Sequence, residues 1–243
     1  MMKANNPGGS YSKLFYDMLQ QTNLLIAGAA GAGKSMTVNG LVNTLLHDSP
    51  DACGMILLDP KRVELVEYRN LPHVRMYASE PADILTALKR TLQIIDARFS
   101  DMQRQGQREY CGSHLYLIID ELTDILTTAS IAKEAAVTLQ RICQIGRAAR
   151  LHVIAGTQHI PTVPTAIRCN FDARLALRTT CAQDSRNIIG KAGAEKLPAP
   201  RIVGKAYGYY RNDVDLGLYE IPTYTEAEHR RLLNFWQTAR ATA

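Results

Sequence analysis

The chain has 243 residues, of which 46% are hydrophobic, with a net charge of +5 and a pI near 9.0. That length suits one α/β domain or one domain with small additions, and the mild basic balance is compatible with a polyanionic partner. No apolar run approaches the length needed to cross a bilayer, and no signal peptide precedes the fold. Five scattered cysteines without a C-x-x-C pair exclude a disulfide framework or a cysteine zinc site. They suit reduced thiols in a cytoplasmic protein.

Asn5–Ser10 is polar and rich in glycine and proline, a flexible leader. A short helical pattern follows at Leu14, Phe15, Met18 and Leu19, still within the leader or linker drawn here as residues 1–22. Asn23–Ala27 then reads as a buried strand. A glycine-rich turn comes at once, and Met36, Val38, Leu41, Val42, Leu45 and Leu46 continue at helical spacing. Gly28 to Ser35 is G-x-x-x-x-G-K-S in the strand–loop–helix context that a phosphate-binding loop requires. Glycine is needed at Gly28 and Gly33 so that the backbone can fold tightly and aim N–H groups at phosphate oxygens. The candidate nucleotide contacts are Gly28, Ala29, Ala30, Gly31, Ala32, Gly33, Lys34, Ser35 and Met36. Lys34 would neutralise the phosphates of ATP, and the Ser35 hydroxyl would ligate Mg2+.

Asp48–Asp51 breaks the chain, and residues 54–58 form a second buried strand ending in Asp59. A carboxylate there sits either at the ligand-binding edge of a parallel sheet or in a simple strand-ending turn. Ser79 with Pro81 reads as a helix start, and Ile84, Leu88, Leu92, Ile95, Phe99 and Met102 mark its apolar stripe. Residues 103–112 are polar and basic, a solvated loop.

The strand 114–119 ends in Asp120-Glu121, about eighty residues after the phosphate loop. Asp120 would hold the metal and Glu121 would polarise the attacking water, a pairing that marks a hydrolase. A helix over roughly 130–149 carries Leu139, Ile142, Cys143 and Ile145 inward. The strand 151–156 leads to Thr157-Gln158, where Gln158 either reports the γ-phosphate or is an ordinary loop amide. Strands follow at 172–177, 205–210 and 216–221, with a short helix capped by Asp184–Arg186 and ending at Gly190. Thr225 and Glu228 form a capping box, after which Leu232, Phe235, Trp236 and Ala239 lie at helical spacing. That set predicts an amphipathic helix, residues 225–243, docked on a motor domain of residues 23–224.

Taken together these residues resemble the FtsK/SpoIIIE motor domain over roughly residues 20–210. The features that carry the likeness are Gly28–Ser35, Asp59-Pro60-Lys61 with Glu64-Leu65, Leu71-Pro72-His73, Leu117–Leu122 and Arg147-Ala-Ala. His152 with Ala155–Gln158, Asp184–Arg186 and Gly193-Ala-Glu195 complete it. The likeness implies an α/β, RecA-like P-loop NTPase with a mostly parallel central sheet flanked by helices. It implies an oligomeric ring, typically a hexamer, with ATP between subunits and ATP-driven translocation on double-stranded DNA. Arg147 matches the arginine offered to the neighbour's nucleotide, although a helix-terminal arginine also favours the dipole. Arg168 and Arg186 match basic positions of DNA-facing loops.

This sequence departs from the pattern in four places. His159 replaces the usual arginine after Thr-Gln, Ala182 stands where lysine is frequent, and Leu197–Arg201 replaces a glycine-rich stretch. No counterpart of a membrane-spanning N-terminus or C-terminal winged helix is present. The thinner channel charge leaves open, beside a DNA translocase, an ATPase of conjugative transfer or protein secretion; a non-hydrolysing nucleotide-dependent assembly module is a further reading, against which the intact Asp120-Glu121 pair stands.

Overall fold

Apolar runs that are buried on both faces specify strands at the centre of a parallel sheet, because helices must cover both sides of it. The computed structural model describes residues 12–241, so the Asn5–Ser10 leader lies outside the described residues. It contains β1 (Asn23–Ala27), β2 (Cys53–Leu58), β3 (Val74–Ala78), β4 (His114–Ile119), β5 (Leu151–Thr157), β6 (Ala173–Ala176), β7 (Tyr207–Arg211) and β8 (Leu216–Glu220). They form one sheet in the order β3-β2-β4-β5-β1-β6-β7-β8. The strands from β3 to β6 in that order are parallel, and β7 and β8 extend the sheet antiparallel.

Alternate residues of each central strand serve opposite faces. Leu24 and Ile26 pack under α1 (Lys13–Leu19), α2 (Lys34–Leu45) and α9 (Glu226–Ala241). Leu25 and Ala27 face the other core, built with α3 (Pro81–Gln105), α4 (Leu122–Thr127), α5 (Ala132–Ile145), α6 (Thr165–Arg168) and α7 (Ala182–Ile189). A short α8 (Pro200–Val203) precedes β7. Because α2 leaves β1 on one face and α4 leaves β4 on the other, a crevice opens outside the carboxyl ends of β1, β5 and β4. Open α/β sheets bind ligands at such a place.

Several expectations are corrected. α1 is no linker: Phe15, Met18 and Leu19 are buried in the core. Gly40 of α2 gives the Phe15 ring room, since a Cβ there would collide with it. The strand β3 adds to the strands expected from the sequence: as an edge strand it is mostly only partly buried and carries no long apolar run. The helix expected over 130–149 is broken: α5 stops at Ile145 and a separate 3-10 turn spans Arg147–Ala149. α3 is capped at Glu80 rather than Ser79, with no side-chain capping bond. α7 starts at Ala182, so Asp184 lies inside its first turn and accepts from Thr180 Oγ1 at 3.0 Å. The expected solvated loop after α3 is tied down in part, because Tyr110 N–H donates to the Ala148 carbonyl at 2.9 Å.

The capping box at the start of α9 forms, with Glu228 N–H donating to Thr225 Oγ1 at 3.2 Å and Thr225 N–H to Glu228 Oε2 at 2.8 Å. Leu232, Leu233 and Trp236 are buried, and the Trp236 indole N–H donates to the Leu46 carbonyl at 2.7 Å. Phe235, expected inward, is 38% exposed. One residue before Trp236 it is turned about 100° away, and Leu233 takes the inward place.

Burial in this fold depresses the basicity of His47, His73, His114 and His152, the last to about 4. His152 Nδ1 lies 2.8 Å from the Gln21 carbonyl and must carry the hydrogen, so its Nε2 accepts from His114 Nδ1 at 2.9 Å. A histidine depressed in the folded state stabilises the fold above its unfolded value near 6.5, and that stability is lost as pH falls from there toward 4. His152→Gln is expected to flatten the pH dependence of unfolding free energy by up to about one proton, roughly 1.4 kcal/mol per pH unit, between about pH 6.5 and pH 5. Denaturant melts at stepped pH measure this. An unchanged slope would mean that His152 takes its proton without unfolding.

Candidate active site

The loop between β1 and α2 is anchored before it is open. Gly28 N–H donates to the Thr157 carbonyl at 3.3 Å and Ala29 N–H to the Arg178 carbonyl at 2.8 Å. These two amides therefore tie the loop to β5 and to the end of β6 rather than facing into it. Gly28 is glycine for space: a Cβ would come within 2.7 Å of Leu177 Cβ. Gly31 and Gly33 are glycine for conformation, with φ of +71° and +101°. Gly33 caps α2, whose first N–H groups, from Lys34 onward, have no partner within the helix and can meet an anion.

Lys34 is buried, and its Nζ donates to the Asp120 carbonyl at 2.7 Å and to Asp120 Oδ1 at 2.9 Å. Glu121 Oε2 lies 3.8 Å from the same ammonium group. Asp120 and Glu121 are only 1% and 2% exposed. Two buried carboxylates side by side require cations close by, and Lys34 and Lys61 supply them, the latter at 3.3 Å from Glu121 Oε2. Gly156 makes the Lys34 contact possible: a Cβ there would collide with the Asp120 carbonyl oxygen and crowd the lysine stem.

Gln158, next in line after β5, gives its backbone N–H to Glu121 Oε1 at 3.1 Å. It lines a small cavity with Gly28, Ala29, Thr180 and Asp184, so its exposed side chain stands beside the phosphate loop. Thr157 and Thr123 bond through their hydroxyls at 2.8 Å and fix the turn beneath.

Asp59 belongs to a turn. Its carboxylate accepts from Val63 N–H at 3.3 Å and Leu65 N–H at 3.0 Å. That turn presents Lys61 to Glu121 and Glu64 to Ser35, whose hydroxyl donates to Glu64 Oε1 at 2.7 Å. Composition and spacing give neither residue a part. The signal that marks them is their place in the Asp59–Leu65 run.

Of the other expected residues, His159 stands at the crevice and Arg147 and Arg168 do not converge on it. Arg147 is exposed and precedes β5, whose seven residues separate it from the crevice by about 20 Å. His159 follows β5 at the crevice, Arg168 ends α6 near the opposite edge, and Arg186 is exposed on α7. They lie on successive elements of one face without touching through any hydrogen bond recorded among the described residues. Lys34, the Ser35 hydroxyl and the Asp120 carboxylate fit a nucleoside triphosphate with a hard divalent cation, which takes oxygen ligands.

Residues 5–210 match the model of the FtsK/SpoIIIE family. The chain is 30% identical over 227 residues to the DNA translocase FtsK of Rhizobium meliloti (strain 1021), covering 74% of this chain and 26% of that protein. It is 32% identical over 204 residues to the DNA translocase FtsK of Oceanobacillus iheyensis, again covering 74% and 26%. It thus spans about a quarter of the length of these curated relatives. Among solved structures, the type VII secretion ATPase EccC of Thermomonospora curvata shares the fold with a TM-score of 0.72 at 20% identity, covering 88% of this chain and 28% of that one. The pCW3 conjugation coupling protein TcpA, solved with ATPγS, does so with a TM-score of 0.76 at 16% identity, covering 90% and 66%. With its sheet order, its phosphate loop and its acid pair in one crevice, this chain belongs to the FtsK/SpoIIIE family.

Proposed function

We infer that this chain hydrolyses ATP and, assembled as a ring, uses the turnover to move along double-stranded DNA. The observation that carries the hydrolytic part is the convergence of Lys34, Asp120, Glu121 and Gln158 at the carboxyl ends of β1, β4 and β5. Lys34 would leave Asp120 for the β- and γ-phosphates, which offer it a stronger anionic partner. Ser35 and Asp120 would hold a magnesium ion, which when bound neutralises charge on the phosphates. Glu121, held by Lys61 and the Gln158 amide, would accept a proton from the attacking water. The Gln158 side chain, beside the loop, would sense the γ-phosphate.

Arg147 sits at the wrong edge of the sheet for its own crevice, which supports a role on a neighbouring subunit's nucleotide. The DNA part rests on the relatives at 30–32% identity, named as DNA translocases, and on the net charge of +5. His159, Arg168 and Arg186 would meet phosphates, which position a duplex without reading its sequence. Among the described residues no helix is long and apolar enough to cross a membrane.

Steady-state ATP hydrolysis with and without linear duplex DNA tests this, with Lys34→Ala as the inactive control. Stimulation by DNA that fades with added salt is expected. Hydrolysis indifferent to DNA would overturn the DNA reading in favour of a protein-secretion ATPase. Nucleotide binding without any turnover would favour the assembly module.

A further inference from the structure

The turn after β2 gives the phosphate loop a carboxylate that the scheme above does not use. Glu64 is half-buried and receives the Ser35 hydroxyl hydrogen at 2.7 Å. A serine hydroxyl has one hydrogen and two lone pairs. Once the hydrogen is committed to a carboxylate, in a short charge-assisted bond, the torsion of the O–H is fixed and only the lone pairs remain to offer.

The backbone is built to keep Glu64 in this place. Asp59, fully buried, clamps the amides on either side of it, those of Val63 and Leu65. Arg62 has φ +58°, a left-handed conformation uncommon for a residue with a Cβ, and its side chain pairs with Glu80. Such conformations persist only where the surroundings enforce them, and they cluster at functional sites.

We propose that Glu64 is a positioning residue for the divalent cation: it accepts the hydrogen bond from the Ser35 hydroxyl so that the Ser35 oxygen presents its lone pairs to the metal beside Asp120. This rests on the nucleotide reading of the site. A different role, an acid favouring the N-terminus of α2 through the helix dipole, would act on stability whether or not metal is bound.

The test is a titration of Mn2+, followed by its electron-spin resonance, into the protein saturated with a non-hydrolysable ATP analogue. Binding of the same analogue in EDTA is measured beside it. Glu64→Ala, which removes the acceptor, is expected to weaken Mn2+ by about tenfold or more, the usual cost of losing a group that orients a metal ligand. Binding of the analogue without metal should stay within about twofold. Glu64→Gln and Glu64→Asp, which keep an acceptor oxygen, should recover part of the loss and serve if the alanine variant does not fold. In a Ser35→Ala background Glu64→Ala should cost nothing further, because the hydroxyl it orients is gone. Unchanged Mn2+ affinity in Glu64→Ala, an equal loss of analogue in EDTA, or an undiminished effect in Ser35→Ala would each overturn the proposal and leave the nucleotide reading standing. Wild-type protein that binds neither analogue nor Mn2+ would overturn both.

Discussion

Glu121→Gln is expected to cut ATP turnover by about 10²- to 10⁴-fold, the range that a general base contributes, while nucleotide affinity changes only a few-fold. Glutamine keeps the shape and can still accept the Gln158 amide now bound to Oε1. It loses the negative charge and the ability to take a proton. Lys34 keeps its shorter contacts, those to Asp120 at 2.7 and 2.9 Å, so the group that would meet the phosphates stays in place. Lys61 loses its closest anionic partner but retains Asp124 at 3.9 Å. The measurement pairs steady-state hydrolysis with titration of a fluorescent nucleotide. A variant that binds normally and turns over at a tenth of the wild-type rate or better would remove Glu121 from the role of base. One that loses binding as well would show that the acid is needed to hold Lys34 rather than to activate water.

The centre of this molecule was legible because burial on both faces leaves a continuous apolar run, and β1, β2, β4 and β5 all carry one. The edges were not. β3 pairs on one side only and reaches full burial only at Ala78, so Val74–Ala78 shows neither a buried run nor a clean alternation. The helix pattern overruns at Gly146–Ala149 because nothing in Gly-Arg-Ala-Ala breaks a period of 3.6. The stop comes from tertiary contacts: Leu151 N–H and the Arg98 guanidinium claim carbonyls of Gly146 and Ala149. Leu14, Phe15, Met18 and Leu19 of α1 show the stripe of a buried helix in the sequence, but its short length beside a polar leader hides that it belongs to the core. Its partner, the Cβ-free patch at Gly40, lies a helix away in sequence and is visible only in the fold.

The site divides in the same way. Lys34, Ser35, Asp120 and Glu121 sit at ends of apolar strands, where spacing alone places them at one sheet edge. What spacing does not carry is who holds whom. The space that Gly156 leaves for Lys34, the Lys61 contact to Glu121 and the Glu64 contact to Ser35 depend on strand neighbours not adjacent in the chain. Glycine's two duties in the phosphate loop also separate only in three dimensions. Gly33 is required by a positive φ, whereas Gly28 is required by the closeness of Leu177.

Arg147→Ala is expected to lower turnover by about 10³-fold or more, the effect of an arginine supplied to a phosphoryl-transfer site, with nucleotide binding largely kept. The loss should be reparable from outside the subunit. Arg147 begins the turn that enters β5, at the edge of the sheet away from its own phosphate loop. The turn is firmly held: Arg98 donates to the Ala149 carbonyl at 2.6 Å and to that of Arg150 at 3.3 Å, and its guanidinium lies 4.4 Å over the Tyr110 ring. A rigid turn that presents an exposed arginine away from its own crevice is what a subunit needs in order to complete its neighbour's. Lys34→Ala subunits keep this arginine and lose the phosphate loop's charge, whereas Arg147→Ala subunits keep the loop and lose the arginine. Each preparation alone should be nearly inactive. Mixed under conditions that allow exchange, they form interfaces with an intact loop on one side and an intact arginine on the other, and turnover should rise well above the sum of the two. A mixture that stays at the sum would return Arg147 to a role within its own chain, where its distance from the crevice allows only a structural one.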